Sequence, residues 1–359
     1  MKTNALVYCE NEFGNLDGKV ANGLVRHSEI YAIVGVVDST KTGRDAGECI
    51  DGVKNGIPIF ERIEKAIEAL PEIPNYFIYG KAPLITTLSK DEREVVMTAI
   101  KNGMNIVNGL PEFFGDDTQF TDMALKYGVT IQDVRKPPER KKLHGFTGRI
   151  LDVKTPIVAV MGTDCAVGKR TTALLLVNAL KEKGLNTVFV TTGQTGILQG
   201  SKYGVAIDVL TSGFATGEVE NAILNASENE QPDIIVVEGQ GALSHPAFTS
   251  SSAILRGAMP KAIIVQHPPK RMSHCDYPKI KMPTLKSEIE LIEVFSKAKV
   301  IAITLNHEDM TNQEVANAIV DYQIDYNLPT TDVLKYGCDK LVKALFKVFP
   351  KLERRPVLF

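Results

Sequence analysis

Residues 160–172 read Val160-Met161-Gly162-Thr163-Asp164-Cys165-Ala166-Val167-Gly168-Lys169-Arg170-Thr171-Thr172. The stretch opens on the end of an unbroken apolar run, Ile157 to Met161, of the kind expected in a parallel strand covered on both faces. A short loop bounded by Gly162 and Gly168 follows. From Ala173 to Leu180 the spacing turns helical, with Lys181, Lys183 and Gly184 as a stop. Strand, glycine-bounded loop, lysine and helix are the parts of a phosphate site. Main-chain N–H groups and the helix start present partial positive charge, glycine lets the backbone approach an anion, and Lys169 adds a full charge.

Five residues, rather than the four of the standard phosphate-loop motif, separate Gly162 from Gly168, and Arg170 stands where Ser or Thr usually follows the lysine. That hydroxyl normally holds magnesium, so the anion site is better specified than magnesium-dependent phosphoryl transfer. Thr171 takes the magnesium role only in a shifted helix register. The longer loop resembles that of dethiobiotin synthetase and its P-loop relatives. Gln194-Thr195-Gly196 after a second apolar strand, and Val236-Val237-Glu238-Gly239 closing a third, fit the same resemblance.

The chain has 359 residues, 44% of them hydrophobic and 23% charged, which suits two soluble globular domains. A net charge of −2 gives no basic surface for nucleic acid, and Arg140-Lys141-Lys142 is too short to supply one. Five scattered cysteines with no C-x-x-C pair predict reduced thiols, no disulfide framework and a cytoplasmic location. The N-terminus lacks the pattern of a signal peptide, and no apolar run reaches the roughly 20 residues of a membrane span.

The first domain is expected over residues 1–150. Its strands are Asn4 to Cys9, Ile30 to Val37, Tyr76 to Tyr79, Asn105 to Val107 and Val129 to Gln132. Gly14, Gly18 and Gly23 punctuate the first loop without matching G-x-G-x-x-G, and Asp38 ends the second strand where a ribose-binding acid would sit. Ser39 to Gly56 is expected to be a mobile loop. Ser89-Lys90-Asp91-Glu92 is a capping box. From Pro137 to Pro156 charge, Pro and Gly predict a linker. The second domain, 151–359, carries apolar strands at Ile157–Met161, Thr187–Thr191, Ile234–Glu238, Ala262–Gln266 and Val300–Thr304, with capping boxes at Ser287 and Thr311. Alternating strands and helices imply a parallel sheet with helices on both faces. The fold class is therefore α/β, with an N-terminal Rossmann-like domain and a C-terminal P-loop NTPase-like domain.

Ligands bind such sheets beyond the carboxyl ends of the strands. There the sequence places the loop at 162–171, Thr191 to Thr195, Glu238-Gly239-Gln240, His267-Pro268-Pro269-Lys270-Arg271 and Leu305-Asn306-His307. Gly162, Thr163, Ala166, Val167, Gly168, Lys169, Arg170 and Thr171 are expected to bind the phosphates of a ligand. Lys169, Glu238 and Asp164 are the candidate catalytic residues, Glu238 holding a metal-bound water or accepting a proton from a reacting amine, and Asp164 binding a metal or, in the favoured reading, a substrate amine. Gln194, Thr195, Gln240, Lys270 and Arg271 are candidate substrate contacts, the last two for a carboxylate or phosphate. Asn306 follows the strand after which related P-loop enzymes read the adenine edge. His245, His267, His274 and His307 show no metal-ligand spacing within any one segment, and a metal is left unassigned.

Both halves together resemble one bacterial and archaeal family, which pairs a Rossmann-like domain with a dethiobiotin-synthetase-like P-loop domain. The resemblance rests on Phe13-Gly14-x-Leu16-Asp17-Gly18-Lys19-x-Ala21-x-Gly23, Asp133-Val134-Arg135-Lys136-Pro137-Pro138, Gly162–Thr171, Gln194-Thr195-Gly196, Glu238-Gly239-Gln240-Gly241 and His267-Pro268-Pro269-Lys270. It implies D-glutamate N-acetyltransferase activity with acetyl-CoA as donor, and a homo-oligomer acting on a small molecule. An ATP- and magnesium-dependent ligase or kinase, and a non-enzymatic nucleotide sensor, are the competing expectations.

Overall fold

The computed structural model describes residues 2–83 and 87–353. Its contacts divide the chain into two compact units. The first runs up to Pro137 and takes in Gln194–Ser201; the second comprises Pro138–Gly193 and the chain from Lys202 onward.

The first unit holds six strands: β1 (Thr3–Tyr8), β2 (Tyr31–Val37), β3 (Ile59–Phe60), β4 (Tyr76–Tyr79), β5 (Asn105–Asn108) and β6 (Ile131–Asp133). They form a parallel sheet in the order β3-β2-β1-β4-β5-β6, the order of dinucleotide-binding folds. Asp38 is nevertheless fully buried, and its carboxylate accepts from the Phe13 and Thr40 N–H groups and from the Thr40 hydroxyl. It closes the β1 and β2 loops on each other, which leaves the ribose reading without its acid. The stretch 39–56 is folded, contrary to the expected mobile loop. Asp45 caps the helix Ala46–Asp51 at Glu48 and also takes the N–H groups of Asn55 and Gly56.

The expected capping box forms at the helix Lys90–Lys101. Its Glu92 also accepts from the Tyr79 hydroxyl at 2.7 Å and from Lys81 at 2.8 Å. Burial works to raise the Glu92 pKa, but Lys81, Ser89 and Tyr79 outweigh it and hold the group at about 2, against an ordinary 4.5. A depressed acid contributes stability above its unfolded pKa, lost as pH falls through its folded value. Glu92→Gln is therefore expected to cost about 2–3 kcal/mol at neutral pH and to flatten the loss of stability between pH 4.5 and 2. Denaturant unfolding across that window checks it.

The second unit carries β7 (Ile157–Gly162), β8 (Thr187–Thr191), β9 (Tyr203–Gly204), β10 (Ile234–Glu238), β11 (Ala262–His267), β14 (Lys299–Leu305) and β15 (Thr330–Thr331), and a hairpin of β12 (Ser273–His274) and β13 (Tyr277–Lys281). The seven-stranded sheet is parallel in the order β15-β14-β11-β7-β10-β8-β9. β7 is central and wholly buried, as its apolar run requires. Val158, Val160 and Val236 pack one face against the helix Lys169–Glu182; Ile157, Ile235 and Val237 pack the other against the helix Ser212–Glu230.

Two expectations change here. The charged stretch read as a linker belongs to the second unit from Pro138, not to the end of the first near residue 150. Glu218 accepts from the His144 N–H, and buried Glu220 from the N–H groups of Thr147 and Ile150. The box at Ser287 does not form either. The helix Leu285–Ser296 starts earlier, Thr284 is its cap, and Glu288 is buried against the Leu243 and Ser244 N–H groups.

Candidate functional site

The phosphate loop connects β7 to the helix that begins at Lys169. Gly168 sits at φ +102°, a left-handed conformation that glycine adopts without strain, and it leaves the first turn of the helix without a side-chain cap. Ala166 turns the loop at φ +50°. Val167 is buried, its carbonyl accepts from Asn306 Nδ2 at 2.9 Å, and Thr163 meets His267 Nδ1 at 2.9 Å. Asn306 Oδ1 also accepts the Glu308 N–H, so both ends of its amide hold the chain and position the loop.

Lys169 is 5% exposed and folds over its own loop, donating from Nζ to the Asp164 carbonyl. Burial pushes its pKa down, and the nearby Cys165, Asp164 and Glu238 oppose that. A buried ammonium bonded to a backbone carbonyl is the partner an incoming phosphate satisfies. Arg170 and Thr171 are half-buried on the first turn. Thr172, one residue on, spends its hydroxyl on Gln266 Oε1 at 2.5 Å.

Glu238 ends β10, which neighbours β7. It is buried, and one carboxylate oxygen accepts from the Thr191 hydroxyl and from the Thr192 N–H at 3.1 Å. Burial raises its pKa, and Arg170, Thr191, Thr192 and Lys169 restrain the rise. Gln240 donates to the Thr192 hydroxyl at 2.9 Å. Thr191, Thr192, Glu238 and Gln240 thus form one hydrogen-bonded group. Gln194 and Thr195 do not join it within this unit. They lie on the short helix Gln194–Leu198, which belongs to the first unit, where the following Gln199 donates to the Gly23 and His27 carbonyls.

Asp164 is the centre of a second buried group. Its Oδ2 accepts from Arg271 at 3.0 Å and from the Cys275 N–H at 2.9 Å, and its Oδ1 lies 2.7 Å from His274 Nδ1. Burial alone would raise its pKa, but His274, the Cys275 N–H and Arg271 hold it below the usual carboxylate range. Its expected role toward a substrate amine thus meets a carboxylate already engaged by the protein. The expected cation pair also divides. The half-buried Arg271 lies between Asp164 and Glu308, and Lys270 forms a surface ion pair with Glu314 at 2.6 Å.

His245 and His274, which no local spacing marks, lie beside Asp164 with ring centroids 4.5 Å apart. They follow β10 and β11, the two strands that flank β7. Only the strand order reveals the cluster.

A family model described as a domain of unknown function, DUF1611_C, P-loop domain, matches residues 144–342, and the companion DUF1611_N Rossmann-like domain matches residues 39–137. The chain belongs to the DUF1611 family. A DUF1611 protein of known structure from Anabaena variabilis is 30% identical, with a TM-score of 0.88 over 96% of this chain and 100% of that one. A protein from Pseudoalteromonas named D-glutamate N-acetyltransferase is 31% identical over 275 residues, 75% of this chain and 80% of the relative. One of the same name from Tritonibacter scottomollicae is 27% identical over 267 residues, 73% of this chain and 78% of that one. The DUF1611 pairing of a Rossmann-like and a P-loop domain is the architecture of this chain. Among the described residues no helix is long and apolar enough to cross a membrane.

Proposed function

We propose that this protein is an N-acetyltransferase moving the acetyl group of acetyl-CoA to the amine of an acidic amino acid such as D-glutamate. The observation that carries this is the lysine-arginine pair at the start of the loop helix, in a chain whose relatives bear that name. A donor bound by its phosphates but not cleaved at them needs anion contacts. It does not need the hydroxyl that ordinarily holds magnesium, and Arg170 serves the first purpose better than Ser or Thr.

In this reading Lys169, Arg170 and the loop amides bind the phosphates of coenzyme A. The substrate nitrogen attacks the thioester carbonyl, the C–S bond breaks, Glu238 accepts the proton lost by nitrogen, and the thiolate leaves to be protonated. Lys270 remains available to a substrate carboxylate, because a surface ion pair such as that with Glu314 exchanges at little cost. Release of free thiol from acetyl-CoA, stimulated by D-glutamate and indifferent to added magnesium, is the expected result. Thiol at background with a panel of D- and L-amino acids would overturn the reading, and ATP hydrolysis that depends on magnesium and an acceptor would favour a ligase.

Glu238 carries a pH prediction. An acid whose folded pKa is raised is protonated further up the pH scale than free glutamate, so its base form appears only above that folded value. The acidic limb of kcat/KM is therefore expected at a midpoint above 4.5. Glu238→Gln should lower kcat/KM about 100-fold and remove that limb. An unchanged profile in the variant would exclude Glu238 as the acceptor of the proton.

A further inference from the structure

We propose that Asp164, His245 and His274 bind a single divalent transition-metal ion of the zinc class. One ligand atom from each lies within 4.8 Å of the others, and all three residues are buried. Two imidazole nitrogens and a carboxylate oxygen are the three protein ligands typical of a zinc site that keeps its fourth position open.

A separate observation points to an occupant. His245 is 6% exposed, and its Nε2 is buried without a hydrogen-bond partner. That atom is aimed at Asp164 Oδ1, 3.8 Å away, too far for a hydrogen bond and suited to a shared ion. The ring is held in this orientation by stacking on Phe248, with centroids 4.6 Å apart at 22°. A buried polar atom left unpaired is unfavourable, and a cation between Nε2 and Oδ1 removes the deficit.

The surroundings fit the requirements of a metal ligand set. Arg271 and the Cys275 N–H both bond Asp164 Oδ2, so they orient the carboxylate and leave Oδ1 toward the two histidines. Arg271 also pairs with Glu308, which offsets its charge near the ion. Cys165 and Asp276 form an overlapping group with His245 and offer a further sulfur or oxygen ligand. Metal capture exchanges the contact between His274 Nδ1 and Asp164 for two metal bonds, with the His274 proton on Nε2. It also needs the His245 proton on Nδ1, where the Ala247 N–H now donates at 3.2 Å, so one long hydrogen bond is given up. Asp164 is part of the phosphate loop, and the ion would therefore sit directly behind the anion cradle.

The test uses the full chain, stripped with dipicolinate and titrated with Zn2+ against a chromophoric chelator, then with Co2+ read by its ligand-field bands. About one equivalent of Zn2+ and a nitrogen-ligated Co2+ spectrum are expected. His245→Gln and His274→Gln should each weaken binding by more than the ~10- to 100-fold lost when an outer-shell partner is removed. His144→Gln, at a half-exposed histidine outside the cluster, should leave it unchanged. Zn2+ uptake by the wild-type protein no greater than by a variant carrying both His245→Gln and His274→Gln overturns the proposal. So does a wild-type Co2+ spectrum with oxygen ligands alone, which requires no variant to fold.

Discussion

Lys169→Ala is expected to lower kcat/KM for acetyl transfer, and the affinity for phosphorylated ligands, about 100-fold. The lysine is almost fully buried at the first position of the helix. Its charge there is opposed by burial and bonded to a backbone carbonyl of its own loop. A phosphate supplies the counter-charge at a distance where a charge-assisted bond contributes roughly 1.5–3 kcal/mol, and more where water is excluded. Loss of that bond corresponds to about 10- to 150-fold in affinity. The upper end applies because Lys169 is the buried charge of the cradle. Lys169→Met keeps the aliphatic stem and separates packing from charge; both variants should fail alike in calorimetric titrations with coenzyme A. Undiminished binding by the methionine variant would place the anion site elsewhere.

Gly239→Ala is expected to destabilise the second unit by about 3 kcal/mol or more. Gly239 follows β10 directly, and its N–H donates to the Val160 carbonyl at 3.0 Å. A Cβ built there would stand 2.4 Å from that carbonyl oxygen and 3.1 Å from Met161 Cα. Both are main-chain atoms of the central strand, so no rotamer change relieves the clash; β7 and β10 must separate. Core overpacking typically costs about 1–3 kcal/mol where side chains can adjust. The same displacement shifts Glu238, at the end of β10, relative to the phosphate loop that follows β7, so activity should fall before the unit unfolds. Thermal melts and thiol release of the variant give the two readings. A variant that melts with the wild type and retains its turnover would mean that the strands yield more readily than their packing implies.

Much of this molecule follows from local pattern. The apolar runs at Ile157, Thr187 and Ile234 are strands because a parallel sheet covered on both faces leaves no polar alternation to confuse the reading. The capping boxes at Ser89 and Thr311 form as written, since a box needs residues only three apart. The box at Ser287 fails for a reason that spacing cannot express. Thr284 competes for the cap, and Glu288 is drawn inward to hold the N–H groups of Leu243 and Ser244, more than forty positions away. Asp45 likewise folds a stretch whose composition suggests mobility, by reaching across to Asn55 and Gly56.

Two α/β units, a phosphate loop between a buried strand and a helix, and the lysine and arginine that open that helix can all be read from neighbouring residues. Those features are written in contiguous residues, where periodicity and loop chemistry act over a few positions. Tertiary structure alone decided that Asp164, His245 and His274 share one buried site, that Arg271 serves Asp164 while Lys270 faces solvent, and that Asn306 secures the loop. Each of these depends on which strands lie beside β7. Strand order in a parallel sheet is set by long-range crossovers whose outcome no single segment encodes.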